Sequence, residues 1–127
     1  MIKVNIYKQS NYPVSTAKIK KDLSKFFESR GIVSDAEVNI SLIGEKKMFL
    51  IGEKYLNDGK LHNVLSFEPS TNFVYPPDGK IHLGEIIVCF PVALSEAKEE
   101  NVLIDKKVYE LIEHGARHLL GEHHEEN

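Results

Sequence analysis

Cysteine is nearly missing from this 127-residue chain, and long apolar runs are missing altogether. The single cysteine, Cys89, rules out an intramolecular disulfide and indicates a reducing compartment. No stretch approaches the roughly 20 apolar residues that a membrane-spanning helix needs. Residues 1–7 alternate like a β-strand and have no signal-peptide core. We therefore expect a cytoplasmic protein with no membrane partner and no disulfide partner.

An excess of positive charge is also missing, because the formal net charge is −3. Bulk electrostatics therefore do not indicate nucleic-acid binding. The charge is uneven, however, and residues 15–31 hold a basic cluster that fits either phosphate contacts or an ordinary solvated helix face. The cluster consists of Lys18, Lys20, Lys21, Lys25 and Arg30. With 42% hydrophobic and 28% charged residues, the composition is that of a soluble globular protein, and we expect one domain over residues 1–127.

Apolar periodicity predicts strands that alternate with helices. The spacing of apolar residues predicts a helix that is capped by Ser15 or Thr16 and stopped by Gly31. The other predicted helices cover residues 45–56, 91–100 and 103–120, and the predicted strands cover residues 2–7, 36–43, 64–67 and 84–90. This succession predicts an α/β or α+β fold, with a small sheet and helices packed on it.

Histidines are concentrated at the C-terminal end of the chain. His114 and His118 stand four residues apart in the last predicted helix, so both rings lie on one helix face and can reach one metal ion. Gly121 suits the end of that helix, because glycine enters the left-handed conformation without a Cβ penalty. The chain can then reverse and bring His124 to the same point. Three imidazoles with one open position are the layout of a catalytic zinc.

Two other interpretations of the cluster are a solvated tail and the remnant of an affinity tag. Neither explains a histidine pair inside an amphipathic helix that is followed by a correctly placed glycine. A zinc protease of the H-E-x-x-H type is disfavoured, because Gly115 occupies the position of its general-base glutamate. Nickel and copper also suit imidazole ligands, so the metal identity stays open at this point.

Three blocks of the chain resemble the signature blocks of the YbeY family of bacterial metal-dependent endoribonucleases. The blocks are Val64-Leu65-Ser66-Phe67, Leu83-Gly84-Glu85-Ile86 and the histidine block from His114 to His124. The resemblance implies a mixed four-stranded sheet with packed helices and a zincin-like metal helix near the C-terminus. It also implies one Zn²⁺ per chain, held by His114, His118 and His124.

The same resemblance implies a function and its partners. Members of the family act on single-stranded RNA in ribosomal RNA maturation and ribosome quality control. The implied partners are therefore ribosomal RNA and the small ribosomal subunit. The chain is expected to be an enzyme, a metal-dependent endoribonuclease that hydrolyses phosphodiester bonds.

This sequence departs from the family pattern at several positions. The family has an arginine after a tyrosine ahead of the Val64–Phe67 block, whereas Tyr55 here is followed by Leu56. The family's leucine within the last helix is Arg117, and its tyrosine-aspartate before the last histidine is Glu122-His123. A cation near the metal would offset charge on the phosphate oxygens. The candidates to replace the family arginine as a catalytic group are Arg117, Lys60 and Lys54.

Ser66 and His62 are candidate substrate-binding residues, because the family runs this strand beside the metal. A core or backbone-bonding role is the alternative for Ser66, and an exposed loop position is the alternative for His62. Metal-binding histidines usually donate their second ring N–H to a carboxylate or carbonyl, and Glu113 and Glu122 are near in sequence.

The sequence thus supports three hypotheses about function. The first is a zinc-dependent endoribonuclease acting on ribosomal RNA. The second is a catalytically impaired, zinc-stabilised ribosome-binding module, which the substitution at Leu56 keeps open. The third is a zinc hydrolase of another substrate.

Overall fold

Strands and helices alternate over the first half of the chain, whereas two strands and then two helices follow one another in the second half. The structure is a computed structural model and describes residues 1–69 and 79–122. Within these ranges the elements are β1 (Ile2–Lys8), α1 (Thr16–Ser29), β2 (Ala36–Ile43), α2 (Glu45–Tyr55), β3 (Val64–Phe67), β4 (Ile81–Cys89), α3 (Phe90–Glu100) and α4 (Ile104–Leu119). None of the described helices has the length and apolarity needed to cross a bilayer.

The strands form a mixed four-stranded sheet in the order β1-β2-β4-β3. Strands β1, β2 and β4 run parallel, and β3 runs antiparallel to β4. Parallel neighbours need a crossover connection, which α1 supplies between β1 and β2. The expectation of a mixed four-stranded sheet with packed helices, in an α/β fold, is confirmed.

Helices cover both faces of the sheet. The larger hydrophobic cluster joins the sheet to α1, α3 and α4, and includes Phe27, Ile86 and Ile112. The smaller cluster lies on the opposite face and joins β4 to α2 through Ile87 and Met48. Because successive side chains of a strand point to opposite faces, neighbouring residues Ile86 and Ile87 serve different clusters. We call these two sides the α4 face and the α2 face.

Most predicted boundaries agree with the structure to within two residues. The Ser15 hydroxyl accepts a hydrogen bond from the Lys18 backbone N–H, as an N-cap residue does. Gly31 follows α1 with φ +93°, which fits its predicted role as a stop. The predicted start of β4 is wrong, however, because the strand begins at Ile81 rather than at residue 84. A register shift between Glu37 and Val38 of β2 leaves Leu83 without a partner in the register and lets Ile81 and His82 join the ladder.

A buried lysine joins α3 to α4. The Nζ atom of Lys107 lies 2.9 Å from Glu100 Oε2, 3.0 Å from Glu110 Oε1 and 3.6 Å from Glu96 Oε1. Burial opposes the charged form, but hydrogen bonds to Glu100 and Glu110 outweigh it and raise the pKa of Lys107. These contacts set the position of the N-terminal half of α4, whose other end carries the paired histidines.

Candidate metal centre

Helix α4 carries the two described histidines of the predicted metal site. The buried residues of α4 face the sheet, and they include Ile112, Gly115 and Ala116. The rings of His114 and His118 lie side by side, with centroids 4.4 Å apart and planes inclined by 53°. The Nε2 atom of His118 is shielded from solvent. The predicted juxtaposition of these two imidazoles is therefore present in the structure.

The chain turns sharply after α4. The N–H of Gly121 donates to the His118 carbonyl at 3.0 Å, and the N–H of Glu122 donates to the Arg117 carbonyl at 2.8 Å. Gly121 has φ +82°, a left-handed conformation that glycine adopts without a Cβ penalty. Gly121 thus ends the helix as the sequence predicts. His123 and His124 lie outside the described residues, so His124 as the third ligand stays a prediction.

The chemistry of the described donors suits zinc. Neutral imidazoles are standard ligands of Zn²⁺, and catalytic sites use three protein ligands with one open position. Within residues 1–69 and 79–122, no group of three histidine, cysteine, aspartate or glutamate side chains gathers around one point. His114 and His118 are thus the described residues that could hold a metal ion, and a third ligand at His124 stays a prediction.

Ser66 lies on the same face of the sheet as α4. In the antiparallel pair β3–β4, Ser66 stands opposite Ile86. Residues that stand opposite each other in a sheet point to the same side. Ile86 contacts α4 closely, because a Cβ atom on Gly115 would lie 2.8 Å from the Ile86 Cγ2 atom. The location predicted for Ser66 therefore fits the fold, and its substrate-binding role stays a prediction.

His62 belongs to the α2 face instead. Its Nε2 atom lies 2.8 Å from Asp58 Oδ2, and its ring packs against Gly52 of α2. The side chain is 24% exposed, so His62 is a partly buried loop residue. The hydrogen bonds from the Lys60 backbone N–H and the His62 ring lower the pKa of the Asp58 carboxyl. The structure does not bring His62 together with the histidine pair.

The three basic residues predicted to replace the family arginine lie in different parts of the structure. The Lys60 side chain is exposed in the loop after α2, and its backbone N–H bonds to Asp58. Lys54 lies on α2, with Nζ 5.2 Å from the centre of the Tyr55 ring. Arg117 is on α4 beside His118, but its guanidinium faces Phe26 of α1 at 5.3 Å. A catalytic role for Arg117 or Lys60 stays a prediction.

An ion-pair network that the sequence did not indicate holds Arg117. Its Nη2 atom donates to Glu113 Oε2 at 2.8 Å, and its Nη1 atom donates to Glu122 Oε1 at 3.4 Å. Arg30 at the end of α1 donates from Nε to Glu122 Oε2 at 2.9 Å and from Nη2 to Oε1 at 3.4 Å. We call Arg30, Arg117 and Glu122 the arginine clamp. Glu113 and Glu122, predicted as partners of the metal-binding histidines, both bond to Arg117.

A cleft of about 630 Å³ lies between α2 and the sheet. Its walls carry the carboxylates of Glu37, Glu68 and Glu85, together with the aromatic rings of Tyr55 and Phe67. Carboxylates lining a cleft repel polyanions, so its charge does not favour a phosphate backbone.

Comparison with known proteins agrees with this fold. The family model described as Endoribonuclease YbeY matches residues 5–127. Endoribonuclease YbeY of Dehalococcoides mccartyi is 32% identical over 123 residues, covering 88% of this chain and 72% of that protein. Endoribonuclease YbeY of Acinetobacter baylyi is 28% identical over 120 residues, covering 94% and 76% respectively.

A solved structure shares the fold. The solution structure of TM1509 from Thermotoga maritima matches with a TM-score of 0.58 and 25% identity, covering 100% of this chain and 77% of that one. A mixed sheet beneath a helix with paired histidines defines an α/β protein with a candidate metal centre. The chain belongs to the YbeY endoribonuclease family.

Proposed function

We propose that this protein is a zinc-dependent endoribonuclease that cleaves single-stranded RNA in ribosomal RNA maturation and ribosome quality control. Membership of the endoribonuclease family supports the reaction type. The observation that carries the metal dependence is the pairing of His114 and His118 on one face of α4.

In this proposal His114, His118 and His124 hold one Zn²⁺. A zinc ion bound there would supply a Lewis acid for a phosphoryl oxygen and would lower the pKa of a water molecule bound to it. The packing of Gly115 on Ile86 holds α4 close to β4, and so keeps the two described imidazoles in place. Ser66, on the same face of the sheet, offers a hydroxyl to orient a phosphate oxygen.

The test of the proposal is metal content followed by cleavage. Untagged protein purified without added metal is expected to contain about one zinc per chain. It should cleave a single-stranded ribosomal RNA fragment, lose cleavage on chelation and regain it when zinc is returned. Cleavage that persists in metal-free protein would contradict zinc dependence, and activity on peptides or esters alone would contradict the RNA substrate.

The basic face of α1 supplies a surface for the RNA backbone. Lys21 and Lys25 are exposed and stand four residues apart on α1, which lies on the α4 face. Lys18 on the same helix already pairs with Asp22 at 2.9 Å. Phosphate contacts by lysine release counterions, so they make binding depend on salt. We place the flanking RNA on this face.

Neutralising Lys21 and Lys25 together is expected to weaken RNA binding. If each lysine contacts one phosphate, the slope of log K against log salt for single-stranded RNA should shrink by about 1.4. The measurement is a titration of labelled RNA at several salt concentrations with the K21Q/K25Q variant. The matched control is K46Q/K47Q, which removes the same charge from exposed positions on α2, on the opposite face of the sheet. If both variants lose the same RNA affinity, the effect comes from net charge and not from contacts of Lys21 and Lys25.

A ribosome-binding module is the second candidate function. Leu56 stands at the C-terminal end of α2 and is 46% exposed, so no guanidinium is available at that position. This candidate predicts association with small ribosomal subunits and no cleavage of any RNA. Zinc removal would then lower the melting temperature without changing any activity.

A further inference from the structure

The outer surface of α2 carries exposed apolar side chains. Phe49, Leu50 and Leu61 are 39%, 56% and 42% exposed. Together with Glu45 and Lys46 they line one shallow depression of about 450 Å³. We call Phe49, Leu50 and Leu61 the α2 patch. A contiguous apolar patch with a charged rim is typical of a surface that contacts another protein.

Charged residues flank the α2 patch at both ends. Lys46, Phe49, Leu50 and Glu53 follow the spacing i, i+3, i+4, i+7, so they form one stripe along α2. Lys46 and Glu53 are about 10 Å apart along the helix axis, too far to pair with each other. Within residues 1–69 and 79–122, neither of them makes an ion pair. Both charges can therefore pair with groups of another molecule.

The order of residues along this stripe is self-complementary. The midpoint between Lys46 and Glu53 is also the midpoint between Phe49 and Leu50. Two copies of α2 that pack antiparallel about a twofold axis through this point place Lys46 of one protomer beside Glu53 of its partner. The symmetry repeats the same contact at the other end of the stripe. A parallel pair would instead bring like charges together.

We propose that this chain forms a weak homodimer through α2, with the two helices antiparallel and the two α2 patches buried between them. The outer charged residues Glu45 and Lys54 share the same midpoint and have opposite signs. Antiparallel packing therefore adds two further attractive contacts. A second copy of the chain matches this charge order by symmetry, which is why it is the partner that the surface fits best.

The small size of the contact makes the dimer weak. Helix α2 has 11 residues and is therefore about 16 Å long. Two such helices with Leu61 bury less than the roughly 1,200 Å² of a standard interface, which is the range of transient complexes. We expect a Kd on the order of 10–100 µM. The K46Q/K47Q control for RNA binding is therefore run well below this concentration.

A contact through α2 leaves the candidate metal centre uncovered. Helix α2 packs on one face of the sheet, whereas α1 and α4 pack on the other. In the dimer the histidine pair and the basic face of α1 point away from the contact in both protomers. The inference does not depend on zinc or on RNA cleavage, so it can fail or hold independently of the proposed function.

The experiment is sedimentation equilibrium of the full chain from about 5 to 500 µM, a range that brackets the expected Kd. The L50E variant should raise the Kd by at least about tenfold, because it places a carboxylate at the apolar centre of the contact. The matched control is V33E, which adds the same charge at a position that is 84% exposed and lies outside α2. V33E should leave the Kd unchanged, and circular dichroism checks that each variant is folded.

Charge reversal tests the antiparallel order. E53K places a lysine opposite Lys46 and should weaken the dimer about three- to tenfold. The double variant K46E/E53K reverses both ends of the stripe and keeps the net charge of the wild type. It should restore the Kd to within about twofold of the wild-type value, because every contact is again between opposite charges.

Several outcomes would overturn the inference. One is a wild-type chain that stays monomeric at the highest concentration, and another is a dimer that L50E leaves intact. A K46E/E53K variant as weak as E53K would contradict the antiparallel packing. A dimer that dissociates when a chelator is added would place the contact at a bound metal ion instead of at α2.

Discussion

Replacing His118 by alanine is expected to reduce bound zinc from about one ion per chain to almost none and to abolish RNA cleavage. Structural zinc sites in peptides bind with roughly 10–16 kcal/mol over four ligands, so one imidazole accounts for several kcal/mol. Loss of one ligand from a three-histidine site should therefore weaken zinc binding by at least about 100-fold. The measurement is metal content together with cleavage of a single-stranded RNA.

His62→Ala is the matched histidine control for metal content. The His62 ring bonds to Asp58 and packs on α2, on the opposite face of the sheet from α4. This variant should keep its zinc. Circular dichroism of both variants establishes that each is folded. Zinc content unchanged in the folded His118→Ala variant would remove His118 from the site, and cleavage retained by that variant without metal would remove zinc from the reaction.

Replacing Gly84 by alanine is expected to destabilise the protein by about 3 kcal/mol or more. Gly84 has φ +129°, a conformation that residues with a side chain rarely adopt. A Cβ atom there would also collide with the Phe67 carbonyl oxygen and lie 2.8 Å from Leu119 Cδ2. For a domain of this size the melting temperature should fall by about 10 °C, as measured by thermal unfolding.

A Gly31→Ala variant separates backbone strain from steric collision as causes of the expected loss of stability. Gly31 also has a left-handed backbone, with φ +93°, but nothing lies within 4 Å of the position of its Cβ. The Gly31 variant therefore carries the backbone strain without the collision, and about 1–2 kcal/mol is expected. If both variants lose the same stability, the close approach of β3, β4 and α4 at Gly84 costs nothing, contrary to our expectation.

Local features of the fold could be predicted because their causes are local. The cap at Ser15 and the left-handed glycines Gly31 and Gly121 each depend on a few neighbouring residues. The start of β4 could not be predicted in this way, because Ile81 and His82 pair with β2 beyond a register shift. Periodicity indicated the four strands, whereas their mixed direction came from the family resemblance.

The candidate site was predictable in part for the same reason. The pairing of His114 and His118 follows from helix geometry alone. The arginine clamp could not be predicted from helix geometry, because Arg30 and Glu122 are 92 residues apart in the chain. In the structure Arg117 and Glu122 contact each other at 3.4 Å, and the sequence did not indicate this contact.

Gly115 separates this protein from zinc peptidases by shape as well as by chemistry. In the H-E-x-x-H pattern, the residue after the first histidine is the general-base glutamate. Here that position faces the sheet, and even a single added carbon would lie 2.8 Å from Ile86 Cγ2. A carboxylate at residue 115 would be driven into β4 instead of toward substrate. A general-base glutamate at this position would therefore require α4 to lie farther from the sheet. A single substitution at the candidate metal centre does not move the helix.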